Sequence, residues 1–182
     1  MEQKIRVLEL KKVEEEGRII EVPTKIEVYG KVYEADAEYA PPSEFKDVDL
    51  KDILDVKIGE IPSNAEIHVN EAMSVGELAG FLIFDQDGIA IRLMEKKEYY
   101  SGLIGLDYYL EMIKKIAKKL EFEENPLIAE VAHGFCGIEL YKTLPKDITI
   151  GEALKEVEKL NAKVREIERK IEEIIEHILE IP

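Results

Sequence analysis

Residues 150–181 read IGEALKEVEKLNAKVREIERKIEEIIEHILEI, with no proline before Pro182. Ile150, Val157, Val164, Ile171 and Ile178 stand seven apart, and Ala153, Leu160, Ile167, Ile174 and Ile181 repeat that interval three residues on. Both series are wholly apolar, which is the a/d pattern of a coiled coil held for more than four heptads. Thr149-Ile150-Gly151-Glu152 has capping-box spacing at its head. The predicted helix is about 45 Å long at 1.5 Å per residue, more than a domain of this size covers easily. Its aliphatic strip must be sheltered, either by the chain's own core or by another copy. We expect a self-association surface on Val157, Leu160, Val164, Ile167, Ile171, Ile174 and Ile178. Leu154 and Ile175 widen the strip, and Lys163 with Glu168 of a neighbouring parallel copy suits a flanking pair.

Ahead of that helix, residues 1–147 read as a single α+β domain, β-rich over 1–95 and helical over 99–147. Leu103, Leu106, Leu110, Ile113, Ala117 and Leu120 recur at helical spacing, with Asp107 near the start and lysines near the end, as the helix dipole favours. Asn125-Pro126 resembles an N-cap followed by a first-turn proline. Residues 127–144 are ambiguous, since Gly134 and Gly137 interrupt a helical spacing, and a break into helix and strand near Gly134 would reconcile them.

Toward the N-terminus the period changes to two. Phe81 to Leu93 reads as a hairpin in which an Asp87-Gly88 turn pairs Phe84 with Ile91 and Leu82 with Leu93. Ser74-Val75-Gly76-Glu77 has capping-box spacing and predicts a short helix; its flanks do not follow those of Thr149–Glu152, so no repeat is inferred. Residues 40–65 read as loop with one helical turn near Leu50, Ile53 and Leu54. Residues 3–39 alternate as a three-stranded antiparallel meander, turning at Glu14–Gly17 and at Gly30-Lys31, the latter placing Val28 opposite Tyr33 and Glu27 opposite Glu34. The expected fold class is α+β: an N-terminal β-meander and a second hairpin packed with C-terminal helices, ending in the long helix.

Composition narrows the function. The 182 residues carry 25 Lys plus Arg against 40 Asp plus Glu, a net charge of −15, which repels phosphate backbones and anionic lipid. Nucleic acid and membrane are therefore not expected partners. The single Cys excludes an internal disulfide framework and any multi-cysteine metal site. The opening residues lack the apolar core of a secretory signal, and a cytoplasmic protein is expected. Abundant Glu, Lys and Ile with no Trp lean toward a hyperthermophile's composition.

Chemistry-bearing residues are sparse. Cys136 lies three residues from His133, a spacing that on a helix would place imidazole beside thiol and activate it as a nucleophile. A lone Cys among Val131, Phe135 and Ile138 is more simply a small buried hydrophobe. Asp85-Gln86-Asp87-Gly88 opens like a calcium loop but lacks its downstream ligands. His68, His133 and His177 show no metal-ligand spacing, so neither a metal nor a cofactor is expected. His68 should point outward from a strand beside Glu66 and Glu71. Tyr99, Tyr100, Tyr108 and Tyr109 bracket a small-residue stretch and form the candidate binding surface, although one tyrosine of each pair could instead complete the core. No nucleotide-binding or hydrolase motif occurs. The expected function is that of a non-enzymatic, cytoplasmic homo-oligomer contacting a protein or small ligand; the alternative is a cysteine-dependent hydrolase- or transferase-like enzyme using Cys136 and His133.

Overall fold

The computed structural model describes residues 4–35, 42–94, 104–125 and 137–181. Alternating residues build β1 (Ile5–Glu15), β2 (Arg18–Val28) and β3 (Lys31–Glu34), an antiparallel three-stranded meander. A second sheet has the order β4-β5-β6-β7-β9-β8, made of β4 (Ser43–Val48), β5 (Ala65–Val75), β6 (Leu78–Asp85), β7 (Gly88–Met94), β8 (Glu123–Glu124) and β9 (Gly137–Thr143). The pair β4 and β5 runs parallel, and every other pair antiparallel. One short helical turn, α1 (Leu50–Ile53), follows β4 as expected; α2 (Leu106–Lys119) and α3 (Ile150–Glu180) are the two long helices.

One face of the six-stranded sheet is closed by the two long helices. Phe45, Ile67, Phe84, Ile91 and Leu140 on the sheet share a core with Tyr109, Ile113 and Ala117 of α2. The head of α3 completes it: Ile150, Ala153, Val157, Leu160 and Val164 are all fully buried. Burying each of the larger side chains stabilises by about 1.5–3 kcal/mol. Thr149 caps α3 as its sequence predicts, its Oγ1 accepting from Glu152 N–H at 3.1 Å. The approach to that cap is stitched to the α1 region, with Ile150 N–H donating to Val56 O at 2.8 Å and Ile58 N–H to Ile148 O at 2.9 Å. The meander joins the same core through Ile5, Ile26 and Val28.

Several local expectations change. Ser74–Glu77 is a hairpin turn between β5 and β6, not a helix start. Gly76 has φ of +58° while Glu77 keeps negative φ, the combination of a type II′ turn. The turn is held from outside: Gly76 N–H donates to Asn161 Oδ1 at 2.8 Å and Arg165 Nη2 donates to Gly76 O at 3.1 Å. Tyr109 Oη accepts from Glu77 N–H at 2.7 Å and donates to Glu168. Residues 43–48, expected as loop, form β4, because their partner on β5 lies more than twenty residues on and no local alternation announces it.

Both hairpin registers shift by two from expectation. The turn after β2 is Tyr29-Gly30, with φ of +47° and +82°, so Val28 faces Lys31 and Ile26 faces Tyr33. This register removes the Glu27–Glu34 opposition and sets Lys25 against Glu34 at 3.6 Å. Likewise Phe84 pairs with Ile89 and Leu82 with Ile91, leaving Gln86-Asp87 as the turn. Gly88 is needed there for closeness: a Cβ on it would stand 2.1 Å from Lys142 O on β9. Shifts of two keep every side chain on its expected face, so the apolar sets survive. Asn125 is described, but Pro126 and residues 127–136 are not, so the expected cap lies outside the described residues with most of the ambiguous 127–144 segment, whose tail is β9.

Candidate functional site

The sheet face turned away from the helices gathers the polar side chains. Parallel pairing sets Glu44 of β4 beside Glu66 of β5, and alternation along β5 puts His68 on the same face. One donor atom from each of Glu44, Glu66 and His68 lies within 4.8 Å of the others, and all three residues are half-buried. His68 Nε2 stands 3.2 Å from Glu66 Oε1. Lys46 Nζ is 3.9 Å from Glu44, on a side chain half exposed to water.

Farther across the face, Arg92 of β7 opposes Glu139 of β9. Arg92 Nη2 donates to Glu139 Oε1 at 3.3 Å and Asn125 Nδ2 donates to Oε2 at 2.7 Å. The Glu139 side chain is only 4% exposed. Burial pushes its carboxyl above the usual range, against the opposing pull of Arg92 and Asn125. Beside it, Asp85 Oδ1 accepts from Asp87 N–H at 2.8 Å, from Gly88 N–H at 2.9 Å and from the Tyr141 hydroxyl at 2.8 Å. These bonds give Asp85 the role of fastening the β6–β7 turn. Burial raises the Asp85 pKa, and burial together with the Asp85 acceptor holds Tyr141 protonated far above its ordinary range.

Between these groups is a cavity of about 290 Å³. Phe81, Ile83 and Met94 form its apolar walls, with His68, Lys46 and Arg92 among its polar lining. Arg92 Nε is buried and meets no acceptor among the described residues. The site is thus a shallow chamber whose lining carries Lys46 and Arg92 together with Asp47, beside a carboxylate-rich edge. No family model, curated protein or solved structure matches the chain. The functional reading of this chain therefore rests on its own residues.

The structure separates the residues singled out from sequence. Tyr109 is 1% exposed and is a core residue, whereas Tyr108 is 78% exposed, so the pair divides between core and surface and does not form one contact face. Tyr99, Tyr100, His133 and Cys136 lie outside the described residues. On α3, Val157, Leu160 and Val164 are covered by the chain's own core. Ile167 and Ile171 are half-buried, while Ile174 and Ile178 are 59% and 60% exposed. Glu168 is bonded to Tyr109 and lies 3.3 Å from Arg165, so it is occupied within its own chain and not placed to meet Lys163 of another copy.

Glu44, Arg92 and Glu139 went unnoticed in the sequence. Their assembly depends on the parallel β4–β5 pairing and on β9 lying beside β7, neither of which leaves a local signal. Of the cluster, only Glu66 and His68 share a strand, two residues apart. That spacing is too common in an acidic chain to point anywhere by itself.

Proposed function

We propose that the chain is a non-enzymatic, cytoplasmic, self-associating protein, in which copies join through the distal half of α3 and the outer sheet face receives a ligand. One observation carries the first part: the seven-residue stripe continues past Val164, the last fully buried member, and stays apolar through Ile181. A strict seven-residue repeat is the period of a helix facing another helix, since a lone straight helix drifts about 20° per heptad from it. Leu179 and Ile181 add to the exposed strip beside Ile174 and Ile178. Apolar strips rimmed by charge mark contact surfaces. The rim here includes Lys170 and Glu173, of opposite sign, as a self-complementary contact between copies favours.

For the sheet face, the support is the half-open chamber lined by His68, Lys46 and Arg92 between apolar walls. Among the described residues, no helix is long and apolar enough to cross a membrane.

The double variant Ile174→Glu/Ile178→Glu tests the assembly. Sedimentation equilibrium should give an oligomer for the unaltered chain and a monomer for the variant, a loss of association of at least about tenfold per buried Ile replaced by charge. Both positions are exposed, so circular dichroism should show the globular part unchanged. A monomeric unaltered chain at tens of micromolar would refute the proposal.

A further inference from the structure

We propose that a second copy lies antiparallel on the distal half of α3, tail against tail, in a pair closed by a two-fold axis. This geometry rests on the self-association proposed above. Space sets the direction. A straight helix turns its seven-residue stripe by only about 20° per heptad, so Ile171, Ile174 and Ile178 face nearly the same way as Val157, Leu160 and Val164. The latter three are fully buried, because the six-stranded sheet and α2 fill the space in front of them. A parallel copy seated on the tail stripe would have to run its own head, with the globular part attached to it, through that filled space. An antiparallel copy meets the tail, and its globular part then lies beyond Ile181.

Charge sets the same direction independently. Residues 163–170 carry four Lys and Arg against two Glu, a net charge of +2. Residues 171–181 carry four Glu and no Lys or Arg, a net charge of −4 with His177 neutral. Parallel tails would hold the two acidic segments side by side. Antiparallel tails lay each acidic segment against the partner's basic one, and charges flanking an apolar seam choose orientation in this way. The same complementarity chooses the register. With Ile171 against the partner's Ile174 and Ile167 against the partner's Ile178, the overlap spans both segments, whereas a register one heptad shorter would overlap the acidic ends alone. In the longer register Lys170 comes beside the partner's His177, on the flank where Lys170, Glu173 and His177 line one groove. Lys170 lies 3.4 Å from Glu166 of its own helix, but its side chain is 55% exposed and within reach of a second partner. Such a contact is isologous, so it closes at two copies.

Distances between nitroxide labels in the full chain test the direction, with Cys136→Ser in every variant so that the introduced cysteine alone is labelled. Glu166→Cys, Glu173→Cys and Glu180→Cys place labels one heptad apart on one flank of α3. The antiparallel pair predicts the shortest distance at 173 and longer ones at 166 and 180, where the two labels are offset by about 20 Å along the axis. Equal distances at all three positions would overturn the antiparallel arrangement and leave self-association standing. A chain that sediments as a monomer and shows no coupling at any position would overturn both. Charge exchange tests the register. His177→Glu should tighten the pair roughly threefold in sedimentation equilibrium, the effect of two exposed ion pairs gained with the partner's Lys170. Lys170→Glu added to that variant should abolish the gain. Unchanged or weaker pairing in His177→Glu, or a gain that survives Lys170→Glu, would overturn the register that sets Lys170 beside the partner's His177.

Discussion

Gly76→Ala is expected to destabilise the protein by about 2–4 kcal/mol, through strain at positive φ and overpacking together. Gly76 sits at φ +58°, where a side chain is disfavoured, and an added Cβ would stand 1.9 Å from Tyr109 Oη and 2.7 Å from Val164 Cγ1. Neither neighbour is free to retreat. The Tyr109 hydroxyl is committed to Glu77 N–H and Glu168, and Val164 is fully buried in α3. The turn is therefore the clamp on which the last buried heptad of α3 rests. Urea unfolding measures the loss. Adding Tyr109→Phe removes one of the clashing atoms but leaves the φ strain and Val164, so the double variant should lose less than the sum of the two single variants. Full additivity would mean that the turn and the tyrosine act independently.

Arg92→Met should be nearly as damaging at neutral pH, costing about 2–4 kcal/mol, because it leaves the Glu139 carboxylate buried without its charged partner. The arginine is one-third exposed, so the loss falls toward the lower part of the range expected for breaking a buried pair. The pH dependence has a defined sign. Burial already raises the Glu139 pKa in the folded state, so the folded chain holds this proton more tightly than the unfolded chain does. A carboxyl raised in this way favours folding below its unfolded pKa, and that contribution is lost as pH rises through the folded value. Without Arg92 the folded value rises further. The variant should therefore be closest to the unaltered protein in acid and fall away as pH rises toward neutrality. Arg92→Met/Glu139→Leu should recover most of the stability at neutral pH, since no charge is then buried. A pH-independent loss would show that the arginine acts through packing of its stem.

In β2, β3, β6 and β7 the sequence made the face of the strand legible but not its register. Alternation in Leu82, Phe84, Ile89 and Ile91 is identical whether the turn is Asp87-Gly88 or Gln86-Asp87, since both pairings place the same residues inward. The choice falls to Asp85, whose carboxylate fastens the turn with Tyr141 of a distant strand. Tyr29 likewise takes a left-handed conformation that its residue type does not advertise. The two capping-box patterns illustrate the same limit. At Thr149 an unbroken apolar repeat follows the cap, and the helix forms. At Ser74 the same pattern is a turn, because β6 follows at once and Asn161 and Arg165 hold Gly76 in place.

The candidate site was almost wholly illegible for a related reason. Glu44 and His68 meet only because β4 lies parallel to β5, and a parallel pair has no hairpin to betray it. Arg92 and Glu139 meet through a similar long-range pairing. The terminal helix, in contrast, was read from its repeat, and the structure divides that repeat into a buried head and an exposed tail.

Hydrogen exchange along α3 tests the central claim most directly. Amides of the buried heptads up to Val164 should be protected at every protein concentration, as part of the core. Those over residues 167–180 should gain protection as concentration rises, because a second copy then shelters Ile171, Ile174 and Ile178 from water. Exchange across 167–180 that is fast and indifferent to concentration would contradict the account, for the exposed stripe would then have no partner among its own kind.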